Sequence, residues 1–310
     1  MAKKRWYRFP LYLAMRSLAA LICSLPRPIM LWIAEKGGEV AFWLVARQRN
    51  KAVQNLSKIY TDRDSRWIQT TAKKMFGHLA LTAGEVLQFP KLSKEEVARW
   101  VDIGDAFEIY DSVLKEGKGL ISITAHFGNW ELLAGIFGLQ GYRGAVLARK
   151  IYYEPYNDWI VGLRRFVGVE TIYRDDSSRE ILKRLARNEI VGLLPDQDME
   201  SLKGEFVQFF NRPAYTPVAP ARLSLASGAP ILANFLVRIS RQRYKIVIGK
   251  VIRPNLSIER DRAVTECTQA WMSEFEKMIR AYPEQWGWMH DRWKTQPASP
   301  VSKEPERIIA

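Results

Sequence analysis

Residues 120–137, with the sequence LISITAHFGNWELLAGIF, decide the fold. The first six residues are apolar or β-branched and form a short run of the kind that buried strands show. Apolar residues then recur at positions 130, 133, 134 and 137, which is the spacing of the core-facing stripe of a helix. The stretch therefore predicts a buried strand, a short loop and a helix that follows it.

The same alternation of strands and helices continues along the chain. Strands are predicted at 145–148, 170–173, 190–194, 231–239 and 244–252, and helices at 107–115, 155–167, 178–187, 219–227 and 264–282. Strands that alternate with helices are typical of α/β proteins with parallel strands. We therefore expect an α/β fold in which helices flank a mostly parallel central sheet.

The chain before this region is predicted to be mainly helical, with helices at 47–60 and 65–87. We expect residues 1–45 to form a separate N-terminal helical segment and residues 46–296 to form one main domain. The tail at 297–310 is rich in Pro, Ser, Lys and Glu and is predicted to be disordered.

The positive charge is concentrated in the N-terminal segment. The chain carries 47 Lys and Arg against 33 Asp and Glu, a formal charge of +14. Residues 1–60 contain eleven basic and two acidic side chains and so hold +9 of this surplus. The basic residues lie beside an apolar run at 9–25 that contains Arg16 as its one charge. This combination indicates a membrane anchor whose positive end faces the cytoplasm.

The sequence leaves the form of this anchor open. The apolar run is shorter than the roughly 20 residues that a transmembrane helix needs, so a marginal span and a helix lying in the membrane interface both fit. A hydrophobic first helix of the globular domain fits as well. A cleaved signal peptide is disfavoured because no A-x-A cleavage site follows the run.

Several chemistries lack their sequence signatures. The cysteines, Cys23 and Cys267, form no CxxC pair, and three histidines are too few for multi-histidine metal chemistry. No GxSxG elbow, Walker A loop or GxGxxG motif follows a predicted strand. We therefore expect no metal and no cofactor, and a nucleophile supplied by the substrate. His78 and His290 are interpreted as structural residues.

Polar residues follow three of the predicted strands. His126 and Glu131 follow the first, Arg149 the second, and Pro195-Asp-Gln-Asp198 the fourth. Because open α/β sheets carry their sites at the carboxyl ends of the strands, these residues are expected to meet in one cleft. There Glu131 would accept the ring N–H of His126, leaving the other nitrogen as a general base. The competing interpretation is a histidine that only caps a helix or packs in the core.

The stretch Thr124-Ala-His-Phe-Gly-Asn-Trp-Glu-Leu-Leu133 resembles the H-x4-D/E block of the bacterial late acyltransferases of lipid A biosynthesis. This lauroyl and myristoyl transferase family belongs to the lysophospholipid acyltransferase superfamily. Further blocks agree in order, namely Arg149, Leu163-Arg164-Arg165, Leu194-Pro-Asp-Gln-Asp198, Phe209-Phe-Asn-Arg-Pro-Ala-Tyr-Thr216, Ala229-Pro-Ile231 and the segment from Pro283 to Lys294. The same blocks are shared with the mannoside acyltransferases of mycobacterial phospholipids.

This resemblance implies an O-acyltransferase of the inner membrane, acting at its cytoplasmic face. A fatty acyl chain would pass from acyl carrier protein, or from coenzyme A in some members, to a hydroxyl of a glycolipid such as a lipid A precursor. His126 would be the general base and Glu131 would orient it. The residues expected to bind substrate are Asn129, Arg149, Arg164, Asp196, Asp198 and Glu205, with Arg165 in place of Arg164 if the alignment slips by one.

The resemblance places the acyltransferase domain at 46–296 and implies acyl carrier protein, anionic membrane lipids and a glycolipid acceptor as partners. Three alternatives remain open at the level of sequence. The acceptor could be another glycolipid such as a phosphatidylinositol mannoside. The surplus of charge could belong to a basic nucleic-acid-binding module, although the family implies no nucleic acid. A membrane scaffold without catalysis would keep the fold and need neither His126 nor Glu131.

Overall fold

The computed structural model describes residues 7–174 and 177–297. Most of the predicted disordered tail, residues 298–310, lies outside the described residues, as do residues 1–6. The helices are α1 (Arg8–Ser24), α2 (Arg27–Leu44), α3 (Ala46–Ile59), α4 (Ser65–Leu87), α5 (Lys94–Ala98), α6 (Ala106–Leu114), α7 (Trp130–Leu139), α8 (Glu154–Phe166), α9 (Ser177–Ala186), α10 (Ala219–Ser227) and α11 (Arg260–Ala281). The strands are β1 (Val101–Asp102), β2 (Leu120–Ile123), β3 (Gly144–Ala148), β4 (Glu170–Tyr173), β5 (Ile190–Leu193), β6 (Gly204–Phe209), β7 (Arg212–Pro217), β8 (Ile231–Arg238) and β9 (Tyr244–Ile252).

Seven strands form one sheet in the order β1-β9-β8-β2-β5-β3-β4. Strands β8, β2, β5, β3 and β4 pair in parallel, whereas β9 runs antiparallel to β8. The expected α/β fold with a mostly parallel central sheet is confirmed. The carboxyl ends of β2, β5 and β3 lie side by side in the middle of the sheet, which is where a site is expected in such folds.

Helices cover both faces of the sheet. Buried side chains of α6, α7 and α8 pack on one face, and those of α9, α10 and α11 pack on the other. Strand β8 is buried along its whole length, because it lies between two neighbouring strands and under both helical layers. This burial explains why the inner strands consist of continuous apolar runs without a polar alternation.

The N-terminal helices pack against the sheet domain. Helix α2 makes extensive contact with α4, and Phe42 of α2 belongs to the main hydrophobic core. Helix α1 contacts α8, where the ring centroids of Tyr12 and Tyr156 are 5.3 Å apart. Among residues 7–174 and 177–297, no helix combines the length and apolarity that crossing a bilayer requires.

The structure contains a second, two-stranded sheet for which the sequence predicts no strands. Strands β6 and β7 form an antiparallel hairpin whose turn residues, Phe210 and Asn211, have φ angles of 54° and 56°. A turn with two positive φ angles usually carries Asn-Gly or Asp-Gly, and neither dipeptide is present here. The sequence therefore contains no turn dipeptide that predicts this hairpin.

Candidate active site

The loop that carries His126 connects β2 to α7 in a tight turn. Gly128 has a φ of +57°, and a Cβ atom there would lie 2.0 Å from the carbonyl oxygen of Leu236. Glycine is required at this position because both the backbone angle and the close approach exclude a side chain. Asn129 then caps α7, its Oδ1 accepting a hydrogen bond of 3.0 Å from the backbone N–H of Leu132.

A buried charge network fixes this loop from behind. The amide of Asn129 donates a hydrogen bond of 2.9 Å to Glu85, which is 5% exposed. The same carboxylate forms ion pairs with Arg238 and with Arg27 at 2.6 and 2.7 Å and accepts a hydrogen bond from the hydroxyl of Tyr244. Because Arg27 opens α2, the network joins the N-terminal helices to the loop of His126. Asn129, which was expected to bind substrate, has a structural role in this arrangement.

His126 is paired with Asp196, which lies in the loop after the neighbouring strand β5. The ring Nδ1 lies 2.7 Å from Oδ1 of Asp196, and the backbone N–H of His126 donates to Oδ2 at 2.9 Å. The indole N–H of Trp286 donates a further hydrogen bond of 2.9 Å to Oδ2. Asp196 is 1% exposed, so bulk water does not solvate its charge. These hydrogen-bond donors stabilise the carboxylate instead.

The pairing of His126 with Asp196 follows from the register of the sheet. Strand β2 pairs in parallel with β5, and Ile123 lies opposite Leu193. Three residues past each of these partners come His126 and Asp196. The two side chains are neighbours because both strands end at the same level. Both residues follow predicted strands in the sequence. Their contact, however, can be predicted only when β2 and β5 are known to be adjacent.

The pairing determines the protonation of both groups. Burial of the ring opposes its protonation, but the charge of Asp196, their hydrogen bond and the charge of Glu131 outweigh this effect, so the pKa of His126 lies above its ordinary value of 6.5. Although burial alone would raise it, the pKa of Asp196 is held well below its ordinary range by His126 and Trp286. The ionised Asp196 therefore accepts the Nδ1–H proton, which leaves Nε2 of neutral His126 as the basic nitrogen.

The sequence predicts that Glu131 accepts the ring N–H of His126. In the structure it does not, because Glu131 binds Arg164 instead. In the first turn of α7, its two oxygens accept hydrogen bonds of 2.8 and 2.6 Å from Arg164 of α8. The expected contact fails because Asp196 already occupies the Nδ1 side of the ring. Arg165 is exposed, so Arg164 is the arginine of this pair. A bidentate pair that is only 19% and 13% exposed holds both side chains in fixed positions.

A polar cavity of about 340 Å³ opens in front of His126. The predicted residues that line it are His126, Glu131, Arg149, Arg164 and the Gln197 of the Pro-Asp-Gln-Asp segment, and Arg174 joins them. The expectation that the residues after β2, β3 and β5 meet in one cleft is confirmed. The side chains surrounding the polar groups are apolar, among them Trp130, Leu147 and Leu194.

An apolar pocket of about 70 Å³ adjoins the polar cavity. Trp130 and Leu194 line both spaces, and Ala134, Phe137 and Val169 line the apolar pocket alone. The sequence pattern predicts core positions for Trp130 and Phe137, but both side chains border the pocket that adjoins the site. Phe127 is fully buried and belongs to the core.

Of the residues predicted to bind substrate, the buried Asn129 and Asp196 do not line the polar cavity, and neither do Asp198 and Glu205. Asp198 accepts hydrogen bonds of 2.8 Å from both the backbone N–H and the hydroxyl of Thr295, and so holds the C-terminal segment. Glu205 lies on β6 and accepts a hydrogen bond from the hydroxyl of Thr265. In both cases the carboxylate has a partner within the protein, and substrate binding by Asp198 or Glu205 stays a prediction.

The sequence predicts a structural role for His290, but the residue lies next to the site. Its ring centroid is 5.5 Å from that of His126. The segment that carries it, around Trp286, runs beside the loop of His126, where Phe127 and Trp286 form an isolated antiparallel bridge. Nothing local in the sequence could bring residue 290 to residue 126. Within the part of the chain that the structure describes, no group of three or more potential ligands could hold a metal ion.

Comparison with known proteins gives a consistent family. Residues 2–295 match the sequence profile of the family described as bacterial lipid A biosynthesis acyltransferase. The lipid A biosynthesis lauroyltransferase of Escherichia coli (strain K12) is 25% identical over 287 residues, 91% of either chain. The lipid A biosynthesis palmitoleoyltransferase of the same strain is 24% identical over 289 residues, 90% of this chain and 89% of the relative.

A second kind of relative carries a different acceptor in its name. The phosphatidylinositol mannoside acyltransferase of Mycobacterium tuberculosis (strain ATCC 25618 / H37Rv) is 27% identical over 215 residues, 67% of this chain and 66% of the relative. The sequence identities to both kinds of enzyme are low and similar. Both kinds are named acyltransferases, and their names differ in the lipid that accepts the acyl chain.

Proposed function

Because the chain belongs to the bacterial lipid A biosynthesis acyltransferase family and is an O-acyltransferase, we propose that it moves a fatty acyl chain from an acyl carrier protein thioester to a hydroxyl of a lipid A precursor. The observation that carries the proposal is the pair of His126 and Asp196, in which His126 lines a cavity that also contains arginines and that adjoins an apolar pocket.

In this reaction His126 acts as the general base. The ionised Asp196 holds the Nδ1–H, so Nε2 takes the proton of the acceptor hydroxyl as the oxygen attacks the thioester carbonyl. The carbonyl electron pair moves to oxygen, and its return expels the thiolate. The proton on Nε2 then passes to the leaving sulfur. A general base held in this manner contributes roughly 10²- to 10⁴-fold to the rate.

Glu131 and Arg164 act as a fixed charged wall of the cavity. Burial opposes the charge of Arg164, but its hydrogen bonds and ion pair with Glu131 keep the pKa above its ordinary value, so the guanidinium is always charged. The negative charge of Glu131 also supports the raised pKa of His126. We assign Glu131 to positioning and electrostatic support of the base, rather than to direct contact with its ring.

Two arginines support a phosphorylated acceptor. Arg149 and Arg174 both line the cavity, and neither forms an ion pair with another residue in the ranges 7–174 and 177–297. Guanidinium groups form bidentate, charge-assisted hydrogen bonds with phosphate oxygens. We expect the phosphate of a lipid head group to bind these arginines and the first few methylenes of the acyl chain to enter the apolar pocket, where each buried methylene contributes about 0.8 kcal/mol.

We propose that the protein lies at the cytoplasmic face of the inner membrane, and exposed apolar side chains support the contact with a membrane. Leu18 and Leu21 of α1 and Trp32 and Trp43 of α2 are each more than half exposed. A surface of this kind, next to a strongly basic N-terminal segment, is typical of helices that lie in the interface of an anionic membrane.

The acceptor can be tested directly. The purified protein would be incubated with an acyl carrier protein thioester and, in parallel reactions, with a lipid A precursor or a phosphatidylinositol mannoside, and the lipids would be analysed by mass spectrometry. We expect one acyl chain to be added to the lipid A precursor. Addition to the mannoside alone would favour the second candidate function, which the similarity to the mycobacterial enzymes supports. Addition to neither lipid would contradict the proposal.

A further inference from the structure

Gln197 follows the buried Asp196 and lines the cavity in front of His126. Its amide nitrogen lies 3.0 Å from Nε2 of His290. The same nitrogen lies 3.2 and 3.4 Å from Nδ1 and Nε2 of His126. One amide group therefore touches both histidines at the point where the hydroxyl must be deprotonated.

The protonation of the two rings decides which contacts are hydrogen bonds. Nδ1 of His126 carries the proton that it donates to Asp196, so it cannot accept from the amide. Burial lowers the pKa of His290 below its ordinary value of 6.5, although the charge of Asp196 opposes this effect, so the neutral ring is favoured. When the neutral ring of His290 carries its proton on Nδ1, its Nε2 accepts one N–H of Gln197. The second N–H has only the long contact to Nε2 of His126, within the residues that the structure describes.

We propose that Gln197 is a further catalytic residue, which donates its second N–H to the oxyanion of the tetrahedral intermediate while His290 holds the amide in place. The inference rests on the proposed acyl transfer reaction. When the acceptor hydroxyl binds to Nε2 of His126, it takes the position of the long contact and frees the second N–H. The thioester carbonyl that the hydroxyl attacks then comes within reach of this donor.

The step balances in protons and electrons. The hydroxyl proton moves to Nε2 of His126 as the new C–O bond forms, and the π electrons of the carbonyl become the charge on the oxyanion. Gln197 donates a hydrogen bond to this oxygen and gives up no proton. When the carbonyl forms again, the C–S bond breaks and the thiolate takes the proton from His126. A preorganised donor of this type stabilises the transition state because it needs no reorientation during the reaction.

His290 is a positioning residue in this account, since it does not line the cavity. A free glutamine side chain would lose conformational entropy each time that it met the oxyanion. The hydrogen bond of 3.0 Å to His290 fixes the amide before the substrate arrives. The segment near the C-terminal end of the described chain thus contributes to the site through Trp286 on Asp196 and through His290 on Gln197.

The test compares Gln197→Met, which keeps the length of the side chain and removes the donor, with the wild-type protein in the acyl transfer assay. We expect kcat to fall by about 10²- to 10³-fold, as for loss of one oxyanion donor. The KM values should stay nearly unchanged, because the lost contact exists only in the transition state. The acid limb of the pH profile should not move, because His126 keeps its charged neighbours Asp196 and Glu131. Gln208→Met, at an exposed position of β6, is the matched control.

His290→Gln and His290→Ala complete the experiment, since glutamine retains an acceptor for the amide and alanine does not. We expect His290→Ala to lose activity with unchanged KM and His290→Gln to recover part of it. Thermal unfolding of each variant checks the fold. Retention of the wild-type kcat in Gln197→Met would overturn the inference and leave the proposed function intact. A shifted acid limb would also overturn it, because Gln197 would then act through the basicity of His126. A wild-type protein that transfers no acyl chain would overturn both.

Discussion

Asp196 holds His126 twice, once through the ring Nδ1 at 2.7 Å and once through the backbone N–H at 2.9 Å. The two hydrogen bonds fix both the path of the chain and the orientation of the ring. Because the carboxylate is almost fully buried, it remains ionised only while these donors are present. The base and its partner therefore form one unit, assembled from the ends of two adjacent parallel strands.

Replacement Asp196→Asn tests this unit. The variant keeps the shape of the side chain but loses the charge that fixes the tautomer of His126, so we expect kcat to fall by roughly 10²- to 10⁴-fold. The wild-type enzyme should lose activity as the pH falls through the pKa of His126, above 6.5, since only the neutral ring accepts a proton. Without the charge, this acid limb should move to lower pH. The measurement is kcat/KM against pH.

The control for this variant lies two residues further on. Asp198→Asn changes the same kind of side chain in the same loop, but its carboxylate binds Thr295 outside the cavity. We expect its kcat and its acid limb to match those of the wild-type protein. Equal losses in the two variants would mean that the loop as a whole, and not the charge of Asp196, supports the reaction.

The pair of Glu131 and Arg164 is expected to act as one unit as well. Glu131→Gln and Arg164→Met should each lower kcat/KM by at least tenfold, because each leaves a partly buried charge without its partner. The double variant should lose much less than the product of the two single losses, which is the signature of coupled residues. Arg165→Met, at the adjacent exposed position, should have little effect. Independent, multiplicative losses would contradict the assigned pairing.

The network around Glu85 is expected to stabilise the fold and the loop together. Glu85→Gln leaves Arg238, itself only 3% exposed, without its charged partner. Breaking a buried ion pair costs about 3–5 kcal/mol, so the free energy of unfolding in a denaturant titration should fall by that amount. Glu35→Gln breaks the exposed pair with Arg241 and should cost less than about 1 kcal/mol. Similar losses of unfolding free energy in both variants would mean that the buried ion pairs of Glu85 stabilise the fold no more than an exposed pair does.

The apolar surface of α1 and α2 is expected to bind membranes. Replacing Leu18, Leu21, Trp32 and Trp43 by serine should reduce cosedimentation with vesicles that contain anionic lipid, because burial of their exposed apolar surface would be lost. Leu256→Ser changes a leucine that is 79% exposed and far from both helices in sequence, and it should bind as the wild-type protein does. Undiminished binding of the fourfold variant would place the membrane contact elsewhere.

Local patterns in the sequence predicted most of the fold and part of the site. Helix α4 begins and ends at the predicted residues, and the bounds of the predicted strands agree with the structure to within two residues. These elements were predictable because each depends on its own periodicity. The short helix α5, the two-residue strand β1 and the hairpin of β6 and β7 were missed, since tertiary contacts and an unusual turn determine them.

Within the site, the sequence identified the general region but not the pairing. His126 and Glu131 belong to one local motif, which made a direct contact between them the simplest hypothesis. The real partner of His126 comes from the adjacent strand, and the partner of Glu131 from the next helix. His290 lies 164 residues from His126 and was beyond any local argument. Residues that meet through the order of strands require the sheet topology before their contacts can be assigned.

The most direct test of the central claim is the rate of acyl transfer by His126→Ala, measured by mass spectrometry of the lipid product. Vesicle binding and thermal unfolding, measured on the same preparation, establish that the variant is folded. Because His126 supplies the base, the variant should transfer at least about 10²-fold more slowly than the wild-type protein while binding vesicles equally well. A folded His126→Ala protein that transfers acyl chains at the wild-type rate would contradict the account.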